Sequence, residues 1–268
     1  MPSLSESSTS ICLCRFTSDP PEINGRVDQP PWDLAAWSPR FADIVSGAPG
    51  WWDTRAAALW DDNALYVAFR VEEPFLRASL TERDSLIFQE NDVELFIDGG
   101  HCYYELEINA LGTLYEVFFV WRDSPLLAQP GYDPRRRDAV TFGGDYDRRP
   151  ATFWRGTHPR GLRWAFLDWD FPGLRSAVHL DGTLNDDSDV DRGWSVTLAL
   201  PWAGMRDLAD GRALPPAPGD EWRMFFSRFQ KVEAGGREIE PHPAWAWTPH
   251  GVYDSHLPER FTRVRFVR

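Results

Sequence analysis

The sequence predicts an all-β protein, a β-sandwich or jelly roll of antiparallel strands with one long loop excursion. Three observations predict it. Short runs of alternating apolar and polar residues recur along the chain, each closed by turn residues. Amphipathic patterns of helical period are almost absent. The stretch 87–109, I-F-Q-E-N-D-V-E-L-F-I-D-G-G-H-C-Y-Y-E-L-E-I-N, holds two strictly alternating runs about a Gly-Gly turn, the pattern of a hairpin of half-buried strands.

The elements follow in order. Residues 1–20 are Ser/Thr-rich and expected to be poorly ordered, and 21–268 to form a single β-sandwich domain. Residues 27–37 read as a loop with one helical turn. Thr54–Trp60 and Leu65–Val71 alternate about the turn Asp61-Asp62-Asn63 and form a second hairpin. Thr113–Trp121 is another strand. Residues 124–162 turn rich in Arg, Pro, Gly and Asp, too aromatic for disorder, and read as an ordered excursion over one end of the sheet. Four further strands fall at 177–180, 194–200, 221–230 and 245–247, a short helix at 203–208, and a closing strand at 261–267.

Composition excludes several functions. The net charge of -13 opposes nucleic-acid binding, which needs a basic footprint, and docking on anionic membranes. No run reaches the ~18 apolar residues of a membrane span. The first residues lack a basic start and an apolar run, so the chain as given reads as cytoplasmic. Oligomeric state is left open. The three cysteines, Cys12, Cys14 and Cys102, make no disulfide framework; Cys12 and Cys14 read as free thiols near a loose terminus.

Alternation places Val93, Leu95 and Ile97 on one face of the hairpin with Tyr104, Leu106 and Ile108. The other face gathers Asp92, Glu94, Glu105 and Glu107. Like charges across a sheet repel, so this face is either solvated or a site in which arginines, a cation or a polar ligand compensates. Trp247, Tyr253 and His256 offer stacking and hydrogen-bonding walls, and Arg83 and Arg228 offer guanidinium forks. The acidic loop containing Asp187, Asp189 and Asp191 departs from an EF-hand, with its glycine one place late and Leu198 where a bidentate Glu belongs. It is either a calcium loop or a turn capped by its own aspartates. There is no phosphate-binding glycine loop, no H-E-x-x-H and no G-x-S-x-G.

An ordered set of segments carries a resemblance. It runs W-D-D-N-A-L-Y-V-A-F, R-D-S-L-I-F-Q-E-N-D-V-E-L-F-I-D, Y-Y-E-L-E-I-N-A, H-L-D-G-T-L-N-D-D-S-D-V-D-R-G-W-S-V-T-L-A-L-P-W, G-D-E-W-R-M-F-F-S-R and W-A-W-T-P-H-G. Together these resemble the family-9 carbohydrate-binding modules, in the branch of stand-alone bacterial family-9-like proteins. The resemblance implies a β-sandwich that binds glucan or xylan chain ends, clamps a terminal sugar between two tryptophans, and carries structural calcium. It implies that Glu94 and Asn109 contact sugar. Phe88 stands in place of the first clamp tryptophan, the second falls near Ser255, and Glu107 replaces an arginine.

Three functions therefore fit the sequence. The first is a non-catalytic carbohydrate-binding module using Arg83, Phe88, Asp92, Glu94, Glu105, Glu107, Asn109, Arg228, Trp247 and His256. The second is a glycan-acting enzyme using Glu94, Glu105 and Glu107. The third is a structural or interaction domain without a sugar ligand.

Overall fold

The computed structural model describes residues 11–136, 138–142, 158 and 160–268. Its strands are β1 (Ile11–Phe16), β2 (Ala42–Asp43), β3 (Thr54–Trp60), β4 (Ala64–Glu72), β5 (Asp92–Asp98), β6 (Cys102–Asn109), β7 (Leu114–Trp121), β8 (Ala139–Phe142), β9 (Arg163–Phe166), β10 (Arg175–Asp181), β11 (Gly193–Pro201), β12 (Glu221–Phe229), β13 (Glu233–Ala234), β14 (Arg237–Glu238), β15 (Ala244–Ala246) and β16 (Thr262–Val267). Only 3-10 turns accompany them among the described residues, and the short helix expected at 203–208 is such a turn, Trp202–Met205. No helix there is long and apolar enough to cross a membrane.

Hydrogen bonds run unbroken through β10-β11-β4-β3-β1-β16-β12-β5-β6-β7-β9-β8, with β15 paired to β12 and β2 to β15. The sheet folds over on itself. Phe69 of β4 and Phe226 of β12 are four strand steps apart in that order, ~19 Å along a flat sheet, yet their ring centroids lie 6.2 Å apart. Val67, Phe69, Val196 and Leu198 of one half share a core with Val93, Leu95, Leu106 and Phe226 of the other. This is the predicted sandwich, built from inward residues of alternating strands.

β1 corrects one expectation. Residues 11–20 were expected within a poorly ordered segment, whereas β1 lies mid-sheet, parallel to both β16 and β3. The other named pairings are antiparallel. No hairpin ties β1 to either neighbour, so no tight turn dictates its direction. Cys12 and Cys14 point inward, fully buried, and act as small apolar side chains; burial pushes the Cys12 thiol up to about 12. Of the excursion at 124–162, residues 143–157 lie outside the described residues, and β8 closes the sheet edge beside β9.

The 87–109 hairpin forms as read. Asp98 faces Tyr103, and Gly99 N–H donates to the Cys102 carbonyl (2.9 Å). Gly100 sits at φ 70, where a Cβ would meet the Asp210 carboxylate at 2.4 Å. Only glycine fits this turn without strain.

Candidate functional site

Strand pairing lines up the outer face of β12, β5, β6 and β7. Ser227 pairs with Glu94, Glu94 with Glu107, and Glu107 with Tyr115. The adjoining row is Phe225, Phe96, Glu105 and Val117. The four carboxylates of this face are not solvated: Asp92 is 0%, Glu94 3%, Glu105 4% and Glu107 1% exposed. With Asp92 next to them on the same strand face, Glu94, Glu105 and Glu107 form the floor of a pocket of about 480 Å³. Phe88, Tyr115, Phe119, Phe142, Phe229 and Tyr253 line it, with Asp254, Ser255 and His256 from the segment before β16 and His242 from the segment before β15.

Phe88 is 40% exposed and meets Tyr115 edge-on at 5.7 Å. Tyr253 stands edge-on to Phe229 at 5.8 Å. His256 packs on Phe142 at 4.4 Å, and its Nδ1 lies 3.1 Å from the Tyr103 hydroxyl. Rings thus flank a floor of acids.

The floor holds its charge poorly. Burial, opposed by the Ser227 hydrogen bond, pushes the Glu94 carboxyl up to about 8. Burial and then the neighbouring Glu94 raise Asp92 and Glu105 well above the usual range. Glu107 is raised by burial and then by Asp92, Glu105 and Glu94. Desolvation disfavours the ionised form, and each carboxylate disfavours ionisation of the next. Arg163 lowers Glu105 from nearby, but its guanidinium is fully buried against Phe142, Trp121 and Tyr103 at 4.7, 5.0 and 5.5 Å.

Several residues expected here lie elsewhere. Arg228 alternates with Ser227 and so points into the core. There it pairs with Glu73 at 3.5 Å, donates to Thr54 and Gln230, and packs against Trp245. Trp247 also faces the core, on Phe226 at 5.3 Å. Arg83 pairs with Glu116 and Asp170. Glu116 alternates with Val117, so this pair is on the core side of β7. Asn109 shares the outer face, yet its amide is spent on the fold: Nδ2 donates to the Leu80 carbonyl and Glu90, and Oδ1 accepts from Leu111 and Thr113 N–H. Asp92 lies behind the pocket rather than lining it.

The calcium implied by the resemblance does not fit the loop expected to hold it. Both Asp191 oxygens accept backbone N–H groups, from Leu76 and Thr183. Asp187 pairs with Arg77, and the three aspartates do not converge as a metal-sized group among the described residues. The alternative reading, a turn capped by its own aspartates, holds only for Asp186, which accepts from Ser188 N–H; Asp191 instead ties the loop to the segment at Leu76.

Tyr115, Phe119, Phe142 and Phe229 were missed. A register drawn from 103–109 to 113–121 would have placed Tyr115 and Phe119 on the acidic face; nothing in the sequence placed Phe142. A larger hollow of about 870 Å³ is lined by Trp52, Glu73, Glu90, Asn91 and Gln230, among others. Its buried acid and the one beside it are already engaged: Glu73 accepts from Asn91, Trp194 and Gln230, and Glu90 from Ser79, Leu80 and Asn109. The smaller pocket is therefore the better candidate.

Residues 54–123 match the model of carbohydrate-binding family 9. That segment is β3 to β7, so it contains all four of these carboxylates. A family-9 carbohydrate-binding module from Caldicellulosiruptor kristjanssonii is similar in structure. In its complex with cellotriose the TM-score is 0.52 at 15% identity, over 96% of this chain and 94% of that one. In its complex with glucose these are 0.54 and 15%, over 97% of each chain. A protein from Bacteroides uniformis, provisionally described as carbohydrate-binding, reaches 0.57 at 13% identity over 96% of this chain and 99% of its own. The fold is that of the family-9 modules. No curated protein matches the chain.

Phe88 and Ser255, where the resemblance implies clamp tryptophans, both line the pocket, as does Tyr253 two residues before Ser255.

Proposed function

We propose that this protein binds carbohydrate without acting on it, seating a sugar over the Glu94–Glu107 floor with Phe88 and Tyr253 as aromatic walls. The observation that carries this is a pocket of about 480 Å³ that joins aromatic rings to carboxyl groups on strands matching family 9. A sugar presents C–H faces to rings and hydroxyls to polar groups. Hydroxyls both donate and accept. Carboxyls whose ionisation is suppressed near neutral pH offer both roles in return, as the raised Glu94 illustrates.

Isothermal titration with a panel of mono- and oligosaccharides headed by glucose and cellotriose tests the reading. Saturable heat that weakens in Glu94→Gln, with no release from chromogenic glycosides, is the expected result. A silent panel overturns the proposal, and turnover by the parent protein overturns its non-catalytic part.

A further inference from the structure

We infer that the pocket floor is a binding site for a hard divalent cation, with calcium as the reference ion, held by Asp92, Glu94 and Glu107. One oxygen from each residue lies within 4.8 Å of the others, and all three residues are buried. Two oxygens sharing a calcium at ~2.4 Å each can be no more than ~4.8 Å apart.

The arrangement is more than a cluster of acids. Asp92 Oδ2 and Glu107 Oε2 are buried and have no hydrogen-bond partner, in residues 0% and 1% exposed. A buried acceptor left without a donor carries its full desolvation cost, and a cation between these oxygens removes that cost at both.

The opposite oxygens are anchored. The Phe229 N–H donates to Asp92 Oδ1 (3.3 Å), and Ser227 Oγ donates to Glu94 Oε2 (2.6 Å). Each anchor fixes the carboxylate and leaves its other oxygen for a ligand, the role that outer partners play around metal ions. No arginine, lysine or histidine forms an ion pair with any of the three among the described residues, although Glu73 and Glu116 on the other side of the sheet each have an arginine.

Donor chemistry names the class of ion. The set is all oxygen, with no histidine or thiol, which favours calcium, magnesium or manganese over zinc or copper. Calcium tolerates irregular sets and readily keeps water in its remaining positions. Glu94 and Glu107 both line the pocket, so those positions open toward it. The exposed group Glu238, Glu240 and His242 is a weaker rival, because Glu238 already pairs with Lys231 and His242.

The test is titration of the chelator-treated full chain with calcium chloride and no carbohydrate, read by heat and by thermal shift. Saturable binding and a raised Tm are expected. Asp92→Asn and Glu107→Gln should each weaken binding about tenfold or more, and both near-isosteric variants should melt no lower than the metal-free parent. Asp187→Asn should bind as the parent does. Absence of saturable binding to calcium, magnesium and manganese up to millimolar concentration overturns the inference. So does binding that survives unchanged in both floor variants. With no sugar in the cell, this outcome and that of the carbohydrate panel are read separately.

Discussion

The two faces of the β12–β5–β6–β7 sheet solve the same electrostatic problem differently. On the inner side Glu116 of β7 and Glu73, which follows β4 and meets Arg228 of β12, are buried, and each has an arginine and further donors. On the outer face Asp92, Glu94, Glu105 and Glu107 are equally buried and form no ion pair with an arginine among the described residues, and Asp92 Oδ2 and Glu107 Oε2 have no hydrogen-bond partner. The first pattern completes a fold. The second holds back stability that a bound group can return. Buried depth is the same, so the presence of a neutralising partner is what separates architecture from site.

Breaking the inner pattern should have the largest effect on stability. Arg228→Met leaves Glu73 buried without its cation. Losing one partner of a buried pair costs ~3–5 kcal/mol. Chemical denaturation should show that loss, while the folded fraction still binds ligand as the parent does. A cost below about 1 kcal/mol would show that Asn91, Trp194 and Gln230 alone satisfy Glu73.

Breaking the outer pattern should do the reverse. Glu94→Gln keeps an acceptor for Ser227 and removes an acid from a crowded site. Stability should hold or rise, and carbohydrate affinity near neutral pH should fall about tenfold, the ~0.5–1.5 kcal/mol of a hydrogen bond between neutral groups. Equal losses in stability and affinity would make Glu94 a structural acid and merge the two faces.

The faces also differ in their response to pH. Glu94 rises from an ordinary 4.5 to about 8 on folding, so the folded state holds a proton that the unfolded state has released across that window. Its contribution is fully present below 4.5 and lost as pH rises through 8. Asp92, Glu105 and Glu107 share the direction, and Tyr115, Tyr253, His242, Asp254 and His256 face the same pocket. His250 acts oppositely. Burial lowers it to about 4, so its contribution is present above 6.5 and lost as pH falls through 4. In chelator, Tm of the parent should therefore drop between pH 6.5 and 8, and Glu94→Gln should flatten that limb. An unchanged limb in the variant would place the titration elsewhere.

Much of this was legible along the chain, because alternation is a local property. The 87–109 hairpin, its turn and the composition of both its faces follow from period two alone. Arg228 and Trp247 went to the wrong side for want of the same rule. In A-W-A-W, Ala244 and Ala246 pack toward the site and Trp245 and Trp247 toward the core. In F-F-S-R, both faces begin with phenylalanine, so polarity alone gives no side. The cover over the carboxylates was out of reach, since residues 242–256 arrive from more than 130 positions away in sequence. β1 was hidden by its Ser-rich prefix, and by cysteines counted as chemistry rather than as core.

The finest distinction lies at the pocket mouth, where Phe88 belongs to neither face. It is exposed, its ring meets Tyr115 edge-on, and it occupies the position of a clamp tryptophan in the family-9 resemblance. Phe88→Ala should change stability by less than ~1 kcal/mol, as a surface truncation does. It should weaken sugar binding about tenfold, equivalent to ~1.4 kcal/mol. Phe88→Trp should restore or exceed parental affinity by enlarging the plate a sugar rests on. Titration of the three proteins with one saccharide reads the series directly. Equal affinity in all three would mean that the acids bind alone and the ring merely shields them from water.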